Sequence, residues 1–204
     1  MRAGRVAIVV LAAALTGSVA GILAYQWAIS SKGAQVACYH VVICNLRPGL
    51  KPKDVHRALL RVPYVVRVGG VKTAPSSVEA CIIVRLPRPM SKWELGQLIS
   101  RTLRREGLGR APAVFLDQVE AYVVEVQVRN PWVDPERLAR RLERAPAILA
   151  VFRAEKRGSI YEFEVASLDD EYPVAYSITG VLKAEDLKPV SLANVTPVKW
   201  GYVL

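Results

Sequence analysis

Three cysteines and two histidines are the side chains of this 204-residue sequence best suited to redox or metal chemistry. Cys38 and Cys44 lie in one alternating segment with His40, and Cys81 lies in another. Thiolates and imidazoles bind zinc and related metals, and two thiols can form a disulfide. What these groups can do therefore depends on which of them the fold brings together.

Spacing along a strand limits these combinations. Cys38 and Cys44 are six residues apart, which is about 20 Å along a strand, so one metal cannot take both. In an exported protein, a disulfide between Cys81 and Cys44, or Cys81 and Cys38, is a candidate that leaves one odd thiol. Binding of a metal by Cys81 with His40 is a second candidate. Burial of small apolar residues in an interface is a third interpretation, which we favour.

An enzymatic function has little support in these residues. His40 and His56 are the only histidines. The sequence shows no persuasive Ser/His/Asp or Cys/His arrangement and no glycine-rich phosphate loop after a strand. We therefore predict a non-catalytic protein without a cofactor or a resident metal.

An internal repeat at an offset of 83 residues organises the elements that position these groups. Tyr39-x-Val41-x-Ile43 matches Tyr122-x-Val124-x-Val126 without a gap. Each copy has the pattern strand, helix, strand, strand, helix, strand. The predicted fold class is α+β, with two tandem ferredoxin-like (βαββαβ) modules at residues 36–118 and 119–204.

Local signals place several helix ends. Ser91-x-x-Glu94 predicts a capping box, and Gly107 is placed to end the same helix. Asp134 followed by Pro135 predicts the start of another helix. Residues 173–189 contain Thr179-Gly180 and are compatible with a helix or a strand.

The first module resembles heavy-metal-associated domains in its order of elements and in the stretch Leu60–Pro63. That family binds its metal through a Cys-x-x-Cys loop, which is absent here, where Asn45–Leu50 stands. The resemblance therefore covers fold and not metal chemistry. One anchor followed by small α/β modules is also similar to the architecture of POTRA-bearing membrane assembly proteins.

Alternation along the strands separates the two faces of the first module. The face turned from the helices is largely apolar, and such a surface usually marks an interface. The other module, a second copy of the chain or a different subunit are the candidates to cover it. The interface residues predicted on this face are Val36, Cys38, Val42, Cys44, Cys81 and Ile83.

The net charge of +10 is unevenly distributed. Residues 35–118 have 14 basic and 5 acidic side chains, and residues 119–204 have 11 and 13. A basic helical face in the first module suits anionic lipid, an acidic partner or nucleic acid, or it is the solvated face of a thermostable protein. RNA recognition through sheet aromatics is disfavoured, because those aromatics face inward. The basic face comprises Arg57, Arg61, Arg101, Arg104 and Arg105.

The first 35 residues predict a membrane address. Residues 6–29 carry no charge over 24 positions, which is long enough to cross a bilayer, and a cleaved signal peptide is the less favoured alternative. Arg2 and Arg5 predict that tail 1–5 is cytoplasmic and that the chain after linker 30–35 lies outside. A stripe of small residues suited to helix packing consists of Ala13, Gly17 and Gly21.

These observations lead to one functional prediction. We expect a single-pass membrane protein with a signal-anchor, its modules extracytoplasmic, acting as an interaction or assembly subunit of a larger membrane complex. Its expected partners are the membrane and other subunits or further copies of the chain. Nucleic-acid or anionic-lipid binding through the basic face, and metal handling by Cys and His on the first sheet, are the alternatives.

Overall fold

The computed structural model describes residues 35–198 of the chain. Strands and helices alternate through this region in the pattern of an α+β fold with four helices. In chain order the elements are β1 (Gln35–Cys44), α1 (Pro52–Leu60), β2 (Val65–Thr73), β3 (Ser77–Leu86), α2 (Lys92–Arg105), β4 (Ala113–Gln127), α3 (Pro135–Leu142), β5 (Ala150–Arg157), β6 (Ile160–Ser167), α4 (Glu171–Ala184) and β7 (Asn194–Pro197).

One antiparallel sheet joins both halves of the described chain. Its strand order is β2-β3-β1-β4-β6-β5, and β7 pairs with β4 beside this path. The 15-residue strand β4 is the link. Residues 113–119 pair with β1, whereas residues 120–127 pair with β6. The predicted module boundary at residues 118 and 119 therefore falls inside a continuous strand.

The two ends of this sheet approach each other, so that the sheet is nearly closed. At the seam between β2 and β5, one Glu143 carboxylate oxygen accepts from the Gly70 N–H at 3.3 Å and from the Val151 N–H at 3.4 Å. Arg67 and Glu164 form an ion pair across the same region. The carboxylate thus partners backbone donors from both sheet edges, which would otherwise lack strand partners.

Closure creates a third hydrophobic core in addition to those under the helices. The helices pack on the outer side of the sheet, where each half has its own core. The inner core lies on the opposite face and is built mostly from small side chains: Cys38, Cys81, Ile83, Val119, Ala121, Ala150 and Ala166.

Several predicted helix signals are confirmed. Ser91 and Glu94 form a reciprocal capping box at the start of α2. The Asp134 side chain accepts from two backbone N–H groups at the start of α3. Gly107 follows the last turn of α2 with a φ of 72°. The open segment 173–189 belongs largely to a helix, α4.

The predicted fold class was wrong in its arrangement. We expected a membrane helix followed by two tandem modules with separate sheets, whereas residues 35–198 form one nearly closed sheet carrying four helices. The physical reason is that β4 runs on from one half into the other. The small, largely apolar inner faces of the two halves then cover each other.

The predictions of a transmembrane, signal-anchored chain and of a cell-membrane location are corrected as well. The longest helices between residues 35 and 198 have 14 residues, and none in this range is long and apolar enough to cross a membrane. Tail 1–5, span 6–29 with Ala13, Gly17 and Gly21, and most of linker 30–35 lie outside the described residues.

Candidate functional site

The predicted interface residues of the first sheet separate into two groups. Cys38, Cys81 and Ile83 are buried in the inner core, where Ala150 of β5 and Ala166 of β6 pack beside them. Val36 is half-buried against the same cluster. Val42 and Cys44, towards the other end of β1, are half-buried. The second half of the chain therefore covers one part of the face that we predicted to need a partner.

Strand register decides which cysteines can meet. Cys44 lies opposite Ser77, and Cys81 lies opposite His40. The candidate pair Cys44 and Cys81 is thus offset by four residues, or about 13 Å along the strands, which is too far for a disulfide. All three cysteines are free thiols, and burial raises the pKa of Cys81 to about 12.

His40 does not complete a metal site in the structure. Its Nε2 atom lies 4.0 Å from a carboxylate oxygen of Glu79. Among residues 35–198 no group of three or more His, Cys, Asp or Glu side chains is placed to hold a metal ion. The metal-handling alternative is therefore corrected.

The predicted basic face is divided among different surroundings. Arg61 forms an ion pair with Glu106, and Arg57 and Arg105 are exposed. Arg101 lines a groove near Trp93, while Arg104 lines a separate cavity. Of the five predicted arginines, Arg104 is the one that the structure combines with basic residues from loops.

This arginine cavity is the strongest candidate functional site. It has a volume of about 700 Å³ and lies where the β1–α1 loop meets the α2–β4 loop. Cavities of this size accommodate small-molecule ligands. Its described lining consists of Asn45, Leu46, Arg47, Arg104, Gly107, Gly109 and Arg110.

Backbone contacts fix the two loops against each other. The Arg47 N–H donates to the Leu108 carbonyl at 2.7 Å. A Cβ atom on Gly109 would lie 2.8 Å from the Asn45 carbonyl oxygen, so only glycine permits this close approach without a shift of the loop. The loops that carry Arg47 and Arg110 are therefore held by the fold and not only by a ligand.

The end of α2 positions the third arginine. The Gly107 N–H donates to the Arg104 carbonyl, and the Leu108 N–H donates to that of Leu103. With Gly107 in the left-handed region, this is a Schellman motif. The motif satisfies the last carbonyls of the helix and turns the chain back towards β1, beside the Arg104 position.

The cavity has a strongly positive lining. Arg47, Arg104 and Arg110 are exposed, and within the described part of the chain none of them forms an ion pair. Their nearest acidic neighbour in sequence, Glu106, is paired with Arg61. Guanidinium groups stay protonated at any physiological pH and donate in a planar fork that matches phosphate and carboxylate oxygens. The arrangement is chemically suited to hold an anion.

The second half repeats the backbone of this site without its arginines. Asn130, 83 residues after Arg47, donates its N–H to the Leu187 carbonyl at 3.2 Å. Asp186 replaces Gly107 after the helix, again in the left-handed region with φ 58°. Lys183 replaces Arg104 and Pro189 replaces Arg110. The fold therefore does not demand three arginines at this position.

Sequence reasoning missed Arg47 and Arg110. Both lie in loops, where no periodic pattern marks which residues share a surface. Comparison of the two repeats gives a usable signal, because Arg47 aligns with Asn130 at the offset of 83 residues. A charge that differs between equivalent loops points to the half in which that loop has a function.

The predicted function as a membrane-anchored complex subunit is not supported. The described residues contain no helix able to cross a membrane. The predicted basic face is also not one continuous binding surface for lipid or nucleic acid, because Arg61 is paired and the others lie in different surroundings. The arginine cavity is the site that the geometry assembles instead.

Comparison with known proteins does not identify a family. No family model and no curated protein matches the chain. Among solved structures, protein BT0572 from Bacteroides thetaiotaomicron is 11% identical with a TM-score of 0.30, covering 84% of this chain and 99% of its own.

A second similar structure is the regulatory subunit of aspartate kinase from Thermus thermophilus. It is 14% identical with a TM-score of 0.35, covering 74% of this chain and 98% of its own. A putative glycine cleavage system transcriptional repressor is 11% identical with a TM-score of 0.25, covering 81% and 98%. These likenesses carry no argument about function.

Proposed function

We propose that this chain is a non-catalytic binding protein for a small, multiply charged anion, which it holds in the arginine cavity. The observation that carries the proposal is the convergence of Arg47, Arg104 and Arg110 on one cavity of about 700 Å³. The ligand class is a small molecule bearing phosphate or several carboxylates, because both groups match the guanidinium fork.

Electrostatic magnitudes favour an anion despite the local helix direction. The cavity lies at the C-terminal end of α2, where the helix dipole is equivalent to roughly half a negative charge. Three guanidinium groups line the same space. Their combined charge exceeds the dipole contribution several-fold, so the net potential is positive.

The side chains of the lining support binding rather than catalysis. The described lining residues include no histidine, cysteine, aspartate or glutamate. General acid–base and nucleophilic catalysis depend on such groups, whereas a guanidinium group does not release its proton. Hydrogen bonds to a charged ligand group contribute about 1.5–3 kcal/mol each, so the arginines suit recognition.

Isothermal titration of the full chain at low salt, with pyrophosphate and with citrate as separate probes, tests the proposal. We expect at least one probe to bind. Each of Arg47→Gln, Arg104→Gln and Arg110→Gln should weaken that binding about tenfold, corresponding to roughly 1.4 kcal/mol. The two probes distinguish a phosphate ligand from a carboxylate ligand.

The second half provides a matched control. The triple variant Arg129→Gln/Lys183→Gln/Lys188→Gln removes three positive charges around the equivalent loops. It should leave the affinity within about twofold of the wild type. Absence of binding by both probes, or equal losses in the control and in the three arginine variants, would show that the cavity is not the site.

A further inference from the structure

Two exposed surfaces occupy equivalent positions in the two halves of the chain. One lies where β3 leads into α2, and the other lies where β6 leads into α4. Each helix carries an exposed aromatic side chain as its second residue: Trp93 is 71% exposed and Tyr172 is 70% exposed. Aromatic side chains of this size are enriched in protein interfaces.

The first of these surfaces, the basic groove, has a volume of about 320 Å³. Tyr64 has a φ of 73°, and the Arg85 N–H donates to its carbonyl at 2.8 Å. A strained backbone conformation held in this way, beside an exposed ring, is typical of functional positions. The groove is formed chiefly by Pro63, Tyr64, Arg88, Met90, Trp93 and Arg101.

The second surface, the acidic edge, combines exposed apolar side chains with carboxylates. Its segment is held in place, because the Tyr122 hydroxyl donates to the Asp169 carbonyl at 3.1 Å and the Asp169 N–H donates to the Ser167 hydroxyl at 2.9 Å. The exposed residues of the edge are Leu168, Asp169, Asp170, Glu171, Tyr172 and Tyr176.

The charged groups of both surfaces are available. Within residues 35–198, Arg88 and Arg101 form no ion pair, and neither do the three consecutive acids at 169–171. An aromatic groove with two cations and an aromatic ridge with three anions are complementary in charge and in chemistry. Such complementarity determines specificity and rate of association.

We propose that a second copy of this chain docks its acidic edge into the basic groove of the first. A copy is the fitting partner because every molecule carries both complementary surfaces, at positions that the internal repeat makes equivalent. The contact is heterologous, joining different surfaces of the two copies. It does not involve the arginine cavity, so it stands independently of the anion-binding proposal.

Sedimentation equilibrium of the full chain up to about 100 μM, at low and high salt, tests this inference. We expect self-association that weakens with salt, because the charges at the rim are screened. Arg88→Glu/Arg101→Glu should weaken association about tenfold or more, and Asp169→Lys/Glu171→Lys should do the same.

Combining both pairs of substitutions in one chain restores the complementarity with reversed signs, and association should return to within about threefold of the wild type. The control Arg57→Glu/Arg129→Glu reverses two exposed arginines outside both surfaces and should have little effect. A wild-type monomer at about 100 μM, or association that neither charge reversal weakens beyond the control, would overturn the inference.

Discussion

Cys38 and Cys81 lie side by side in the inner core, and burial determines their chemistry. Burial raises the pKa of the Cys81 thiol to about 12 and raises that of Cys38 as well. The thiolate is the reactive form of cysteine, so both groups are unreactive at neutral pH. These thiols act in the structure as small apolar side chains.

The raised pKa of Cys81 predicts a loss of stability at alkaline pH. In the unfolded chain this thiol has the ordinary cysteine pKa of 9.0, whereas the folded form keeps its proton up to about pH 12. The stabilising contribution is therefore complete below pH 9 and is lost as pH rises through the folded pKa, by about 1.4 kcal/mol per pH unit for one thiol.

Urea unfolding of the wild type and Cys81→Ala at pH 7, 9, 10 and 11 measures this contribution. Alanine costs stability at pH 7 because it leaves a small cavity, but it has no proton to lose. We expect the difference in unfolding free energy between the two proteins to shrink above pH 9. A difference that stays constant up to pH 11 would contradict the assignment.

Single residues of the candidate site were predictable only in part. Arg104 belongs to the basic face that the composition of α2 indicated, and the structure places it in the arginine cavity. Arg47 and Arg110 join it from loops that meet through a single backbone hydrogen bond, from Arg47 to Leu108. Such a loop contact leaves no periodic trace in the sequence.

The helices α2 and α4 end in the same way but with different residues. In both, a residue in the left-handed region follows the helix, and its two neighbouring N–H groups return to helix carbonyls. That residue is Gly107 after α2 and Asp186 after α4. Left-handed backbone costs a residue with a Cβ roughly 1–2 kcal/mol and costs glycine almost nothing.

Exchanging these two residues should change stability in opposite directions. We expect Asp186→Gly to raise the free energy of unfolding by about 1 kcal/mol, and Gly107→Asp to lower it by a similar amount. A Cβ on Gly107 meets no atom within 4 Å, so backbone strain and not a clash causes the loss. Urea unfolding at neutral pH measures both variants, and effects of the same sign would refute the explanation.

Helix signals with a local cause were readable from the sequence, and α4 shows where such reading fails. Ser91 and Asp134 cap their helices through hydrogen bonds within three residues. In α4 the buried side includes Thr179, whose hydroxyl accepts from the Ala193 N–H at 3.0 Å. A polar residue satisfied by a distant segment interrupts the apolar pattern, so this helix and a strand were both compatible with the sequence.

The nearly closed sheet belongs to the whole molecule and has no local signal. Residues such as Cys81 and Ala150 read individually as small side chains on separate strands, and only the approach of β2 to β5 makes them one core. At the seam, a Cβ on Gly70 would lie 2.4 Å from the Leu149 carbonyl oxygen. Closure therefore depends on glycine at a position that a sequence pattern treats as an ordinary turn residue.

Gly70→Ala should consequently open the seam, and Gly158→Ala is its matched control. Both glycines have nearly the same left-handed φ, +60° and +61°, but a Cβ on Gly158 meets nothing within 4 Å. Backbone strain of about 1 kcal/mol is thus common to the two variants, and the clash at the seam belongs to Gly70 alone.

The reaction of native protein with a thiol reagent at pH 8 reports the opening, because Cys38 and Cys81 are accessible only when the inner core is exposed. In the wild type we expect Cys44, which is half-buried, to react first and the two buried thiols to react slowly. Gly70→Ala should accelerate the slow phase about tenfold or more relative to Gly158→Ala. Equal slow phases in the two variants would mean that these thiols become accessible only through global unfolding, and that the contact between β2 and β5 does not limit access to the inner core.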